Sequence, residues 1–70
     1  METIEITREK AIAQIEIDRQ TKENLKAFPF INADDLAFYD ERIAQLETIL
    51  EKGHGTFSTF RNEQAEIILK

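Results

Sequence analysis

Residues 32–53, NADDLAFYDERIAQLETILEKG, carry the clearest structural pattern in the chain. This stretch begins with an asparagine and two nearby aspartates, which can accept hydrogen bonds from the free amide groups of a helix N-terminus. It ends at Gly53, the residue type that most easily adopts the left-handed conformation after a helix. Apolar residues between these ends recur at spacings of three and four, and this heptad pattern predicts a helix of about five turns over residues 34–52. The pattern comprises Leu36, Tyr39, Ile43, Leu46 and Leu50.

A second helix is predicted before this one, over about residues 8–27. Thr7 can cap its first turn, and Pro29 prevents its continuation. Charged residues four positions apart, such as Asp18 and Lys22, are expected to pair on its surface. At 100° per residue its apolar side chains form two nearly opposite faces, so that one can pack on the helix at 34–52 while the other needs further cover. The first face has Ile4, Ala11, Ile15 and Leu25, and the second has Ile6, Ala13, Ile17 and Phe28.

The same N-terminal region carries a competing pattern. Residues 3–7 (TIEIT) and 15–18 (IEID) alternate apolar and polar side chains, which is typical of strands. A hairpin of these two runs would place four isoleucines on one side. No glycine-bearing turn joins the runs, and helix-forming residues fill the rest of the segment, so we favour the helix.

Residues 58–69 are predicted to form a short third helix after a hydroxyl-bearing cap. The predicted fold is therefore all-α, with an antiparallel helical hairpin and a short C-terminal helix in one domain over residues 1–70. A chain of this length buries only about 60% of its unfolded surface. It has no cysteine to form a disulfide, so we expect a homo-oligomer to supply further stability.

Charge and hydropathy exclude several classes of function. The chain has 14 acidic and nine basic residues, a net charge of −5 and no basic run, so we expect no direct binding to nucleic acid. No apolar stretch approaches the roughly 20 residues of a membrane helix. The first five residues, METIE, lack the basic start of a signal peptide. The sequence predicts a soluble protein of the cytoplasm that does not bind membranes.

Catalysis is not indicated by the reactive side chains. His54 and Ser58 are the only histidine and serine, and the sequence shows neither a third group to orient the imidazole nor donors for an oxyanion. The aspartate pair at residues 34 and 35 consists of adjacent residues, whose side chains diverge around a helix instead of converging on a cation. We therefore predict no enzyme, no metal site and no cofactor.

A glycine-bearing segment after residue 52 is the candidate ligand site. Glycines and hydroxyls near a helix start can direct donors at an anion, cationic side chains can add charge, and a phenylalanine can stack on a base. A plain turn between helices explains the glycines equally well. The candidate ligand residues are Lys52, His54, Gly55, Thr56, Phe57 and Arg61.

The leading functional hypothesis is a small non-enzymatic binding protein. It would act through a helical surface as an inhibitor or interaction module for another macromolecule, with an acidic surface that suits a protein partner with a basic site. The alternative is a homo-oligomer that sequesters an anionic small molecule or nucleotide through residues 53–61. The candidate interface combines the second face of the first helix with a phenylalanine outside the heptad pattern. These residues are Ile6, Ala13, Ile17 and Phe38.

Overall fold

The computed structural model describes all residues from 1 to 70. Two helices, α1 (Arg8–Lys26) and α2 (Ala33–Lys52), follow a first strand, β1 (Glu2–Ile6). Two further strands, β2 (His54–Phe60) and β3 (Glu63–Leu69), complete the chain. Helices contain 56% of the residues and strands 27%, so the fold is α+β and the predicted all-α class is wrong.

The three strands form one mixed sheet in the order β1-β3-β2. β3 is the central strand: it pairs in parallel with β1, with Ile4 opposite Ile67, and antiparallel with β2, with Phe57 opposite Ala65. The register of β2 shifts between Ser58 and Phe60, where the strand is irregular. The N-terminal and C-terminal segments of the chain therefore lie side by side in the sheet.

The predicted third helix over residues 58–69 is wrong, and this region forms the hairpin of β2 and β3. Its β-branched and aromatic residues favour extended backbone, while the short length of the segment gives a helix little cooperative stability. The pairing of β3 with β1 supplies hydrogen bonds that no local pattern in residues 58–69 reveals. α1 and α2 do pack on each other, but the predicted all-α helical hairpin is wrong, because a sheet lies where a short helix was expected.

The N-terminal region forms neither one continuous helix nor the hairpin of the competing pattern, but a strand followed by a helix. Residues 2–6 follow the alternating pattern and form β1, whereas the second alternating run, residues 15–18, lies inside α1. Thr7 lies between β1 and α1. Its backbone is extended, and its hydroxyl accepts a hydrogen bond from the Lys10 amide at 3.2 Å. β1 pairs with β3 and not with a neighbouring hairpin strand.

Both ends of α2 carry the capping residues that the sequence indicates. The Asn32 side chain accepts a hydrogen bond from the Asp34 amide at 2.9 Å. Gly53 follows the helix in the left-handed conformation, with φ of 86°, and its amide donates to the Ile49 carbonyl oxygen at 2.7 Å. This φ favours glycine because a side chain there crowds the backbone. Neither helix has the length and apolar character needed to cross a membrane.

The core lies between α2, the neighbouring face of α1 and the inner face of the sheet. α2 packs directly on β2, where Gly55 allows close approach: a Cβ at that position would lie 3.0 Å from Ile49 Cγ1. α1 packs mainly on α2 and makes fewer contacts with the sheet. The buried core cluster consists of Ala11, Ile15, Leu46, Ile49, Phe57 and Ile67.

Candidate functional site

The largest concavity of the protein is an open groove between α1 and the inner face of the sheet. Its volume is about 360 Å³, and seven of its ten lining residues are hydrophobic. α1 contributes one stripe of side chains spaced by three and four residues, and all three strands contribute to the floor. We call this feature the α1–sheet groove. It is lined by Ile4, Ile6, Lys10, Ala13, Gln14, Ile17, Leu46, Phe57, Thr59 and Ile67.

The α1 side of the groove is partly uncovered. Ala13 contributes only a methyl group to the lining, and Ile17, which also lines the groove, remains 56% exposed. Full burial of an isoleucine side chain is favourable by about 1.5–3 kcal/mol. The uncovered apolar surface is therefore a source of binding energy for a partner that covers it.

A buried polar network adjoins the groove and shares Gln14, Phe57 and Thr59 with its lining. Asp18 is 1% exposed, and its carboxylate accepts hydrogen bonds from Gln14 Nε2 at 3.0 Å and Arg42 Nε at 3.1 Å. The Arg42 guanidinium lies 4.6 Å from the Phe57 ring centroid and donates to the Thr59 carbonyl oxygen at 3.4 Å. This network joins α1, α2 and β2, so it holds the two sides of the groove in position.

Lys10 is the one titratable side chain in the groove. It is exposed and forms no ion pair within the protein, in contrast to Lys22 and Lys26, which pair with Asp40 and Glu23. Its neighbour in the lining, Ile6, belongs to an edge strand of the sheet. The groove therefore combines an apolar floor with one unpaired ammonium group next to an open sheet edge.

Three of the four predicted interface residues meet in the α1–sheet groove. Ile6, Ala13 and Ile17 all line it, although Ile6 reaches it from β1 and not from the helix where it was expected. Phe38 lies elsewhere, in a separate cleft of about 340 Å³, where its ring contacts Tyr39 edge-on with centroids 5.4 Å apart. The predicted interface is thus divided between two surfaces.

The structure does not bring the six predicted ligand residues together. Lys52 and His54 lie at one end of β2, whereas Arg61 follows its other end and pairs with Asp35. At 3.3 Å per residue the length of β2 separates these cations by about 20 Å. Phe57 is buried in the core. The remaining two residues also belong to β2: Gly55 packs against Ile49, and Thr56 pairs with Glu66.

His54 and Ser58 are also separated in the structure. Both belong to β2, and four residues of strand extend about 13 Å. The His54 side chain is exposed, with Nδ1 3.8 Å from a Glu66 carboxylate oxygen. Ser58 is buried and its hydroxyl accepts a hydrogen bond from Gln45 Nε2 at 3.1 Å. No cluster of three or more acidic, histidine or cysteine side chains is arranged to hold a metal ion.

Sequence reasoning missed the buried network. Asp18 was expected to pair on the surface with Lys22, but it pairs with Arg42 on α2, and Lys22 pairs with Asp40. A signal for this arrangement exists: residue 18 follows Ala11 and Ile15 at the helical spacing of the buried stripe. An acidic residue in that stripe indicates a buried charge that needs a partner.

Comparison with protein-family models, curated proteins and solved structures finds no match to this chain.

Proposed function

We propose that this protein is a non-enzymatic binding module that docks a polypeptide in the α1–sheet groove. It would act as an inhibitor or interaction module for its partner, in the cytoplasm as predicted from the sequence. The observation that carries the proposal is the open apolar groove itself, with a half-exposed isoleucine in its lining. A groove of this kind suits apolar side chains, and adjoining backbone edges suit a peptide main chain.

The chemistry of the groove supports binding over catalysis. Its polar groups are one ammonium, one carboxamide and one hydroxyl, from Lys10, Gln14 and Thr59. The Gln14 amide already donates to Asp18, and the Thr59 hydroxyl donates to the Glu63 carbonyl oxygen at 3.4 Å. These groups can orient a ligand, but they do not form a nucleophile–base pair.

Peptide display with the wild-type protein as bait tests the proposal. The selected peptides would be measured by calorimetry against wild type, Ile17→Asp and Ile12→Asp. Ile17 and Ile12 are 56% and 49% exposed on the same helix, but only Ile17 lines the groove. Loss of one buried isoleucine contact predicts about ten- to hundredfold weaker binding to Ile17→Asp. Ile12→Asp should bind as wild type does.

Two outcomes would contradict the proposal. One is that no peptide is selected. The other is that the selected peptides bind both variants alike. Far-UV circular dichroism of each variant shows whether the fold is retained, which we expect because both isoleucines are half exposed.

A further inference from the structure

The two edges of the sheet differ in how they are covered. At the β2 edge, the Ser58 amide donates to Gln45 Oε1 at 2.8 Å, and the strand is irregular next to it. At the β1 edge, residues 2–6 form a regular strand, and no side-chain hydrogen bond of the protein reaches them. Charged side chains, proline and bulges commonly block unwanted pairing at sheet edges; β1 has neither proline nor a bulge, and its only charged residues are Glu2 and Glu5. β1 is therefore the edge that can accept another strand.

The backbone of β1 has a defined set of free groups. The Ile6 carbonyl oxygen accepts a hydrogen bond from the Lys70 amide of the neighbouring chain end at 2.8 Å. Because backbone groups alternate in direction along a strand, Glu2 and Ile4 also direct theirs towards β3. Thr3 and Glu5 then direct their N–H and C=O groups away from the sheet. These four groups are available to a strand from outside.

A second copy of β1 matches these groups when it is antiparallel and the two-fold axis passes through Ile4. Thr3 of each copy then lies opposite Glu5 of the other, and the two residue pairs form four hydrogen bonds. All five residues of the strand overlap, and the two Ile4 side chains meet on the groove side. An axis through Glu5 would instead place two carboxylates opposite each other, which is unfavourable.

The charges of the groove fit the same arrangement. In the Ile4-centred register, Glu2 of the second copy lies opposite Ile6 and on the same face of the sheet. Ile6 and Lys10 both line the groove, and Lys10 has no ion-pair partner of its own. Glu2 likewise forms no ion pair within the chain. The pairing thus brings a free carboxylate to a free ammonium twice, once on each side of the axis.

We propose that the occupant of the α1–sheet groove is a second copy of this chain, joined through antiparallel β1 strands into a continuous six-stranded sheet. The inference rests on the proposed function and names the partner of that same groove. A two-fold axis perpendicular to the sheet keeps all four helices on one face, so the groove sides of the two α1 helices face each other. Ile17 of each copy, now 56% exposed, is then covered.

Sedimentation equilibrium of the full chain from low micromolar to near-millimolar concentration tests the inference. We expect the mass to approach twice 8.2 kDa with rising concentration. Thr3→Pro removes a hydrogen-bond donor at the free edge without touching the pairing to β3, so it should abolish the dimer. Thr3→Val retains the donor and should leave the dimer intact.

Charge exchange gives a second test that does not depend on proline. Lys10→Glu alone should weaken the dimer about tenfold, and Glu2→Lys in the same chain should restore it. Both side chains are exposed, so the fold should be retained.

The results separate this inference from the proposed function. A chain that stays monomeric at all concentrations, but whose selected peptides lose affinity with Ile17→Asp, refutes the dimer and leaves the docking function. A dimer that Ile17→Asp weakens, but that neither Thr3→Pro nor the charge exchange affects, refutes the β1 pairing. Loss of the dimer in Thr3→Pro, together with rescue of the Lys10→Glu dimer by the charge exchange, establishes the β1 pairing.

Discussion

Replacement of Arg42 by methionine tests how α1 is held on α2. Asp18 is 1% exposed, and its carboxylate is bonded by Arg42 Nε at 3.1 Å and by Gln14 Nε2 at 3.0 Å. Methionine retains an aliphatic side chain but removes the positive charge. Asp18 is then buried without its counter-ion, and breaking a buried ion pair from one side costs about 3–5 kcal/mol.

That cost is large in proportion to the stability of a chain of this size. The free energy of unfolding of folded proteins is roughly 0.05–0.15 kcal/mol per residue, which corresponds to about 3.5–10 kcal/mol for seventy residues. The methionine variant also loses the contact of the Arg42 guanidinium with the Phe57 ring, whose centroid lies 4.6 Å from it. We therefore expect the Arg42→Met variant to lose about a third or more of the free energy of unfolding of the wild type.

Urea denaturation followed by far-UV circular dichroism measures this loss. All variants are compared at one chain concentration, because self-association would raise the apparent stability. Asp18→Asn is the matched control and should cost less, about 1.5–3 kcal/mol, because it leaves no buried carboxylate. The Arg42 side chain is 15% exposed, so its charge retains contact with water.

The double variant Asp18→Leu, Arg42→Met should recover most of the loss, since an apolar pair of similar volume replaces a buried ion pair at little cost. Two results would contradict this prediction. The first is that Arg42→Met stays within about 1 kcal/mol of wild type, the range of an exposed ion pair. The second is that Asp18→Asn costs more than Arg42→Met.

Three further substitutions test local features by the same denaturation assay. Gly53→Ala should destabilise by about 1–2 kcal/mol because φ is 86°, and Gly53→Asn by less; equal stability of all three would contradict this. Gly55→Ala should lower the free energy of unfolding by about 1–3 kcal/mol because its methyl group crowds Ile49. In the Ile49→Ala background the same substitution should have no such effect, and a loss that persists in that background rules out the contact. Gln45→Ala leaves the buried Ser58 amide without its acceptor and should cost about 1–3 kcal/mol, whereas Gln45→Glu, which keeps an acceptor, should cost less.

Part of the candidate site was predictable from the sequence. At helical spacing, Ala13 and Ile17 fall on a face of α1 that α2 does not cover, and both line the groove. Ile6 was assigned to the same face for the wrong reason, since it reaches the groove from a strand. Phe38 falls outside the heptad pattern, but Tyr39 and Arg42 pack around it in another cleft. Periodicity along one helix therefore indicates which side is uncovered, but not what lies opposite.

The candidate ligand segment shows why short motifs of glycine, hydroxyl and cation are weak predictors. Such residues bind an anion when a loop folds them around one point. In β2 the backbone is extended, so Lys52 and Arg61 lie beyond opposite ends of the strand. Whether this segment forms a loop or a strand depends on the pairing of β2 with β3. The residue composition of the segment does not reveal that pairing.

The two helices are specified by local sequence signals. Their signals act within a few residues: Thr7 and Asn32 at the N-termini, Gly53 at a C-terminus, and apolar residues three and four apart. Helical hydrogen bonds join residues four apart, so a local pattern contains nearly all the information needed. The helix bounds of Arg8–Lys26 and Ala33–Lys52 lie within one residue of those expected.

The sheet and the buried ion pair depend on contacts between distant parts of the chain. β1 and β3 are separated by more than fifty residues, and neither strand can satisfy its backbone hydrogen bonds without the other. Asp18 and Arg42 likewise come together only when α1 packs on α2. In both cases the stabilising contact joins residues far apart in the chain, so their local sequence patterns do not specify it.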